Sequence, residues 1–203
     1  RQQLEAASLA ETSNSETRDV LENAINEVDS IVATFEALLN IGQLEAGDRR
    51  ARFVDLDLKA TLSDAAEAYA PVIEDSGYHL VWNVAETPTA TIRGDHELLL
   101  QLIANLIENT LQHTPAGTTI TLALTVTSRA AVVVVADDGP GIPSAEHENV
   151  FRRFYRLERE RSSPGHGLGL SLVRAIADLH GASVTLGENK PGLRVSVAFP
   201  VGA

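Results

Sequence analysis

Ala131-Val-Val-Val-Val-Ala136 runs straight into Asp137-Asp138-Gly139-Pro140-Gly141-Ile142-Pro143. Six apolar residues without alternation are the pattern of a strand buried on both faces, a central strand of a sheet. The run ends on a carboxylate at the edge of that core. A carboxylate so placed can accept a hydrogen bond from an exocyclic amine, while Gly139 and Gly141 allow the backbone to approach a ligand closely. The same residues also read as a tight turn, because Asp-Gly and Pro-Gly are turn formers. The pattern by itself leaves both open.

Outward from this strand, the flanks set the fold class. Thr118–Thr127 alternates in period two, as does His79–Val84. Asp95–Leu111 reads as a helix with Leu98, Leu99, Leu102, Ile103, Leu106 and Ile107 crowding one side. Leu58–Ser76 repeats the helical period and stops at Gly77, a C-terminal signal. On the far side, Leu168–His180 is a helix closed by Gly181, followed by strands at Ser183–Leu186 and Leu193–Phe199. Helices and strands interleave and hairpins are present. This order predicts an α+β fold, a two-layer sandwich of one mixed sheet covered on one face by helices.

The start of the chain differs. Residues 1–46 read as helical, with Leu21, Ile25, Val28, Val32, Phe35 and Leu39 alternating steps of four and three. That heptad-like stripe suits a helix packed on its own domain, and equally one in a bundle with a second chain. Thr12-Ser13-Asn14-Ser15 interrupts it with a polar turn after a shorter helical piece at Arg1–Glu11. A charged linker follows at Gly47–Arg52.

Composition narrows the chemistry. The 203 residues carry a net charge of −12, so phosphate backbones and anionic membranes would repel the chain and nucleic acid is not an expected partner. The absence of cysteine excludes disulfides, thiolate metal sites and cysteine nucleophiles. No stretch approaches the roughly 20 apolar residues that span a bilayer. There is also no methionine, which reads as a fragment of a longer protein.

Two further stretches carry chemistry. Asn105 and Asn109 stand four apart on the Asp95–Leu111 helix, so both amides leave one face. Their oxygens are hard, neutral ligands suited to a magnesium ion that already holds phosphate, though two surface asparagines would look the same. Gly165-His166-Gly167-Leu168-Gly169-Leu170 opens the next helix, where N–H groups and the helix dipole favour an anion. It fits neither the dinucleotide fingerprint nor a P-loop. Between Pro143 and Gly165 lies an irregular segment with Phe151-Arg152-Arg153-Phe154-Tyr155-Arg156, long enough for a lid whose arginines can reach phosphate or merely stay solvated.

Taken in order, these stretches resemble the histidine-kinase branch of the GHKL ATP-binding proteins. Asn105–His113 is similar to its N box, Asp137–Gly141 to its G1 box, Phe151–Phe154 to its F box and Gly165–Leu170 to its G2 box. The likeness extends from Val54 to the closing Phe199-Pro200. It implies ATP and Mg²⁺ as cofactors, with Asp137 reading the adenine amine and Asn109, with Asn105, holding the metal. The implied nucleotide contacts are Asn105, Asn109, His113, Asp137, Gly139, Gly141, Ile142, Arg153, Phe154, Arg156, Gly165, His166, Gly167, Leu168, Gly169 and Leu170. Two positions depart from the family. Gln112 stands where a lysine is common, and His113 where an aromatic is usual, so Arg153 or Arg156 is the expected substitute cation.

The resemblance also assigns the domains. Residues 1–47 resemble a partial dimerisation hairpin, 48–57 a linker and 58–203 the ATP-binding catalytic domain. Such kinases carry a phosphoacceptor in a His-Glu/Asp-x-Arg-x-Pro context, and none of the six histidines here has it: His79, His96, His113, His147, His166 and His180. The acceptor is therefore expected upstream of Arg1, and the fragment is expected not to label itself. The expected partners are a response-regulator receiver domain and a second copy through the hairpin. The expected place is the cytoplasmic portion of an inner-membrane sensor. The alternatives are an ATP-gated switch or hydrolase of the same superfamily, and a dimerisation scaffold that keeps only the fold. ATPase relatives carry a Glu where Asn105 stands, which favours the kinase.

Overall fold

The computed structural model describes residues 48–84, 89–157 and 166–201, with Val32, Thr34, Phe35, Leu38, Leu39, Ile41, Gly42 and Leu44 in the N-terminal segment. The chain divides into two units, Arg1–Leu39 and Asn40–Ala203. In the first, the five described residues are helical, and Val32, Phe35 and Leu39 of the predicted stripe are exposed. The polar turn and the stripe from Leu21 to Val28 lie outside the described residues.

In the second unit a five-stranded sheet has the order β2-β4-β5-β7-β6. Its strands are β2 (His79–Asn83), β4 (Thr119–Val126), β5 (Ala130–Asp137), β6 (Ser183–Glu188) and β7 (Leu193–Pro200). Only β2 and β4 pair in parallel; the other neighbours are antiparallel, which makes the sheet mixed. The valine run lies centrally in β5, between β4 and β7. Ile120, Leu122, Leu124, Val133, Val135, Val195, Val197 and Phe199 are all buried, the alternate positions of three neighbouring strands.

Three helices cover this core: α1 (Leu58–Asp75), α2 (His96–His113) and α3 (Gly169–Leu179). Each starts or stops where local chemistry demands. The Asp57 carboxylate caps α1 by accepting from the Lys59 N–H at 2.9 Å. Asp95 caps α2 through the Glu97 and Leu98 N–H groups at 3.0 and 3.2 Å. At the end of α1, Gly77 N–H reaches the Glu74 carbonyl and Tyr78 N–H the Ile73 carbonyl, both at 2.9 Å. That pair of bonds is the Schellman arrangement, and the glycine signal was read correctly. All six apolar residues expected on the inner side of α2 are buried.

One element departs from the expected single sheet. β1 (Val54–Asp57) and β3 (Thr91–Gly94) form a separate antiparallel ribbon, Val54 opposite Gly94 and Asp57 opposite Thr91. Residues 48–57, read as a linker, thus hold a 3₁₀ turn at Asp48–Arg52 and a paired strand. Four residues are too few for period-two alternation to stand out. The ribbon delivers the chain to the Asp57 and Asp95 caps, and so fixes where α1 and α2 begin.

Candidate nucleotide-binding site

Asp137 ends β5 with its side chain only 4% exposed. Its Oδ1 accepts from the Gly139 N–H at 2.9 Å and the Leu193 N–H at 3.3 Å. Among the described residues Oδ2 has no partner, so one oxygen is fixed and the other presented. Burial pushes the carboxyl above its usual range, against the two backbone N–H groups that stabilise the ionised form. The Asp137 carbonyl is held as well, by the Asn189 amide at 2.8 Å.

Gly192 makes this cradle possible. It sits at φ +109°, and an ideal Cβ there would stand 1.8 Å from the Asp137 carbonyl oxygen. Any side chain would push the β6–β7 turn off the end of β5. Gly141 backs onto the Gly192 carbonyl, and Gly139 packs on Thr114 at the end of α2. Ile142 is half-buried, and its carbonyl meets His147 Nε2 at 3.0 Å. Asp138 plays a different part from its neighbour: its Oδ1 accepts from the Thr119 N–H at 2.7 Å and ties the turn to β4.

Asn105 and Asn109 leave α2 half-buried. Asn105 Nδ2 donates to the Gln101 carbonyl at 2.8 Å, so its oxygen is the free end of the amide. That oxygen lies 3.5 Å from where a Cβ of Gly169 would be, placing it beside the first turn of α3. The Asn109 side chain has no hydrogen bond within the described residues. The donor set fits a hard divalent cation whose remaining ligands come from phosphate and water. A cage of protein carboxylates is not available, since no group of three His, Cys, Asp or Glu converges among the described residues. His113 is half-buried at the end of α2, and Gln112 is exposed.

The opening of α3 is bare of side-chain capping. Leu168 precedes the helix without a cap bond, leaving the first N–H groups for an anion. Leu168 and Leu170 are buried and anchor the turn, with His166, Gly167 and Gly169 half-buried on it. Gly165 lies outside the described residues. Gly167 has φ +65°, and an ideal Cβ would be 2.7 Å from the Tyr155 carbonyl. Phe154 N–H donates to the Gly167 carbonyl at 2.9 Å. The glycine turn is thereby clamped to the end of the predicted F box. Phe154 adopts φ +63° and is 57% exposed, a conformation that a large residue holds only when its surroundings impose it.

The two candidate cations separate. Arg156 is half-buried. Arg153 lines a cavity of about 630 Å³ with Ile41, Leu44, Arg50, Phe151, Ser171, Arg174, Ala175, Asp178 and Leu179. None of Asn105, Asn109 or Asp137 borders that cavity. Sequence reasoning also passed over Thr114, Asn189 and Leu193, which complete the Asp137 cradle. Asn189-Lys190-Pro191-Gly192 is a turn signal between two strands, and could have located the hairpin that closes it.

His180 is buried at the end of α3. Its Nε2 accepts from the Asp95 N–H at 3.1 Å, so Nδ1 carries the proton toward the Ile176 carbonyl at 2.7 Å. Stacked on Phe53 at 4.6 Å, it is a packed core residue that joins α3 to the cap of α2. Burial holds it below the usual histidine range.

Residues 94–203 match the family described as histidine kinase-, DNA gyrase B-, and HSP90-like ATPase. Over 192 residues the chain is 33% identical to the sensor protein IrlS of Burkholderia pseudomallei, covering 93% of this chain and 40% of that one. The chain spans less than half the length of the curated relatives it matches. The mycobacterial sensor histidine kinase MprB superposes with a TM-score of 0.65 at 26% identity, over 73% of this chain and 98% of that one. The ATP binding domain of PrrB from Mycobacterium tuberculosis gives 0.60 at 27% identity, over 75% and 99%.

Proposed function

The chain belongs to the histidine kinase-, DNA gyrase B- and HSP90-like ATPase family, and from this premise we propose that it serves as the ATP-binding catalytic part of a sensor histidine kinase. It takes ATP with the adenine amine on Asp137 and the phosphates between Asn105, Asn109 and the opening of α3. A histidine nitrogen attacks the γ-phosphorus, the bond to the β-phosphate oxygen breaks, and ADP leaves. The phosphoryl group then passes to an aspartate of a response-regulator receiver domain. Asn109 and Asn105 would hold a magnesium ion, which would supply charge neutralisation on the phosphates.

The observation that carries this reading is the half-fixed Asp137 carboxylate, with one oxygen tied by two backbone N–H groups and the other presented at a glycine-lined strand end. Positioning and electrostatics dominate phosphoryl transfer, which suits a site rich in backbone N–H and neutral amide oxygens and poor in bases. Arg156 is the cation offered in place of the usual lysine at Gln112, since Arg153 lines the separate cavity beside α3. The exposed Val32, Phe35 and Leu39 support pairing with a second copy through the N-terminal helices. Among the described residues no helix is long and apolar enough to cross a membrane. Placement as the cytoplasmic portion of an inner-membrane sensor stays part of the proposal.

The test is labelling with γ-labelled ATP. The chain alone should bind ATP and gain no label. Supplying a segment with the His-Glu/Asp-x-Arg-x-Pro motif, fused ahead of Arg1 or as a separate hairpin, should yield a label that acid removes, as a phosphoramidate requires. Self-labelling of the chain alone, or brisk hydrolysis by it, would contradict the reading.

A further inference from the structure

Glu108 stands on α2 three residues after Asn105 and one before Asn109. Side chains three apart on a helix are neighbours, with Cβ atoms about 5–6 Å from each other. A carboxylate there is able to take a proton from water. It does not hang free. Tyr69 of α1 donates its hydroxyl proton to Glu108 Oε1 at 2.6 Å. Glu108 is exposed and Tyr69 half-buried, so the ring is anchored and the carboxylate is the tethered end. Burial, and then the Glu108 carboxylate itself, push the Tyr69 hydroxyl above its usual range, so it stays a donor at physiological pH. Asn105 leans the other way, toward the start of α3.

We propose that Tyr69 is a positioning residue that draws the Glu108 carboxylate toward α1, off the metal and phosphate side of the site, and so suppresses transfer of the γ-phosphate to water. The inference rests on the nucleotide reading of Asn105 and Asn109. Released from Tyr69, Glu108 would swing toward those amides. It would then take a proton from a water molecule as the water oxygen bonds to the γ-phosphorus. The bond to the β-phosphate oxygen breaks, ADP leaves, and inorganic phosphate is the second product. With the tether in place, ATP waits for a histidine.

The test compares wild type with Tyr69→Phe, Glu108→Gln and the double variant. Calorimetric titration of ATP with magnesium comes first: no binding by the wild type would overturn the nucleotide reading itself, separately from this inference. Phosphate release then decides the tether. Tyr69→Phe should hydrolyse ATP about tenfold or more faster than wild type, with kcat raised and KM little changed. Glu108→Gln alone should stay at the wild-type rate, and the double variant should return to it. A purely structural role for Tyr69 would lower turnover or affinity rather than create an activity that Glu108→Gln removes. Tyr69→Phe hydrolysing at the wild-type rate, losing nucleotide binding, or keeping its gain in the double variant would overturn the proposal.

Discussion

The two ends of the candidate site are built on opposite plans. At the Asp137 end the residue is held from several sides: the Gly139 and Leu193 N–H groups on Oδ1, the Asn189 side chain on the carbonyl, and Gly192 pressed against it. At the asparagine end the side chains are half-buried, that of Asn109 has no hydrogen bond within the described residues, and the first turn of α3 lacks a side-chain cap. The first end is a piece of the core that happens to present one oxygen. The second is assembled from groups that leave the fold little changed when a ligand is absent. On the proposed reading, recognition of the base is bound up with folding, while recognition of the phosphates is separable from it.

If so, damage at the first end should cost the fold. Gly192→Ala places a Cβ where the Asp137 carbonyl stands, at a φ that alanine avoids. A loss of at least about 3 kcal/mol in urea unfolding is expected, together with loss of nucleotide binding. A folded variant of near wild-type stability would break the contrast.

Asp137→Asn probes the same end without a clash. Its amide oxygen must face Gly139 and Leu193, because both are N–H donors, which turns the NH₂ toward the adenine amine. Two donors then face each other. ATP affinity should fall by about 10- to 150-fold while the ligand-free protein stays folded, read by calorimetry and thermal melting.

The sequence announced these two ends unequally. The Asp137 turn was visible because a six-residue apolar run and two glycines are local signals. Its other wall was not, because Asn189 and Leu193 approach Asp137 from a hairpin more than fifty residues away, and strand pairing of that kind leaves no mark at either place. That Asn105 and Asn109 share a face was legible from helical spacing, though their role came only from the family resemblance, and the caps at Asp57 and Asp95 follow the same local logic. The β1–β3 ribbon escaped notice, since four residues carry no readable period. That Tyr69 tethers Glu108 was equally hidden, because 39 residues separate the partners.

At the asparagine end the expected changes are smaller and leave the fold alone. Asn109→Ala should weaken ATP binding about three- to tenfold in magnesium and hardly at all when the metal is chelated, with unfolding unchanged. Equal loss with and without metal would show that the amide is not a metal ligand.

Acid sharpens the contrast most gently. Because burial raises the Asp137 carboxyl, its protonation on lowering pH begins above the usual carboxylate range. For the ligand-free fold the sign is unfavourable at neutral pH: a raised carboxyl stabilises below its unfolded value and loses that contribution as pH rises through its folded one. For binding the sign reverses, since the ionised form is the one that accepts from the amine. The affinity ratio of wild type to Asp137→Asn should therefore narrow as pH is lowered through the titration of Asp137, measured by titration at constant ionic strength. A constant ratio would mean that the charge of Asp137 does not enter recognition.

The central claim is that this chain holds ATP by its base through the presented oxygen of Asp137. Guanine carries a carbonyl oxygen where adenine carries the amine, so GTP would set an acceptor against that carboxylate. Parallel calorimetric titrations of ATP and GTP in magnesium test this directly. The account predicts saturable one-site binding of ATP and affinity for GTP lower by about a hundredfold or more; equal affinities, or no binding of either nucleotide, would contradict it.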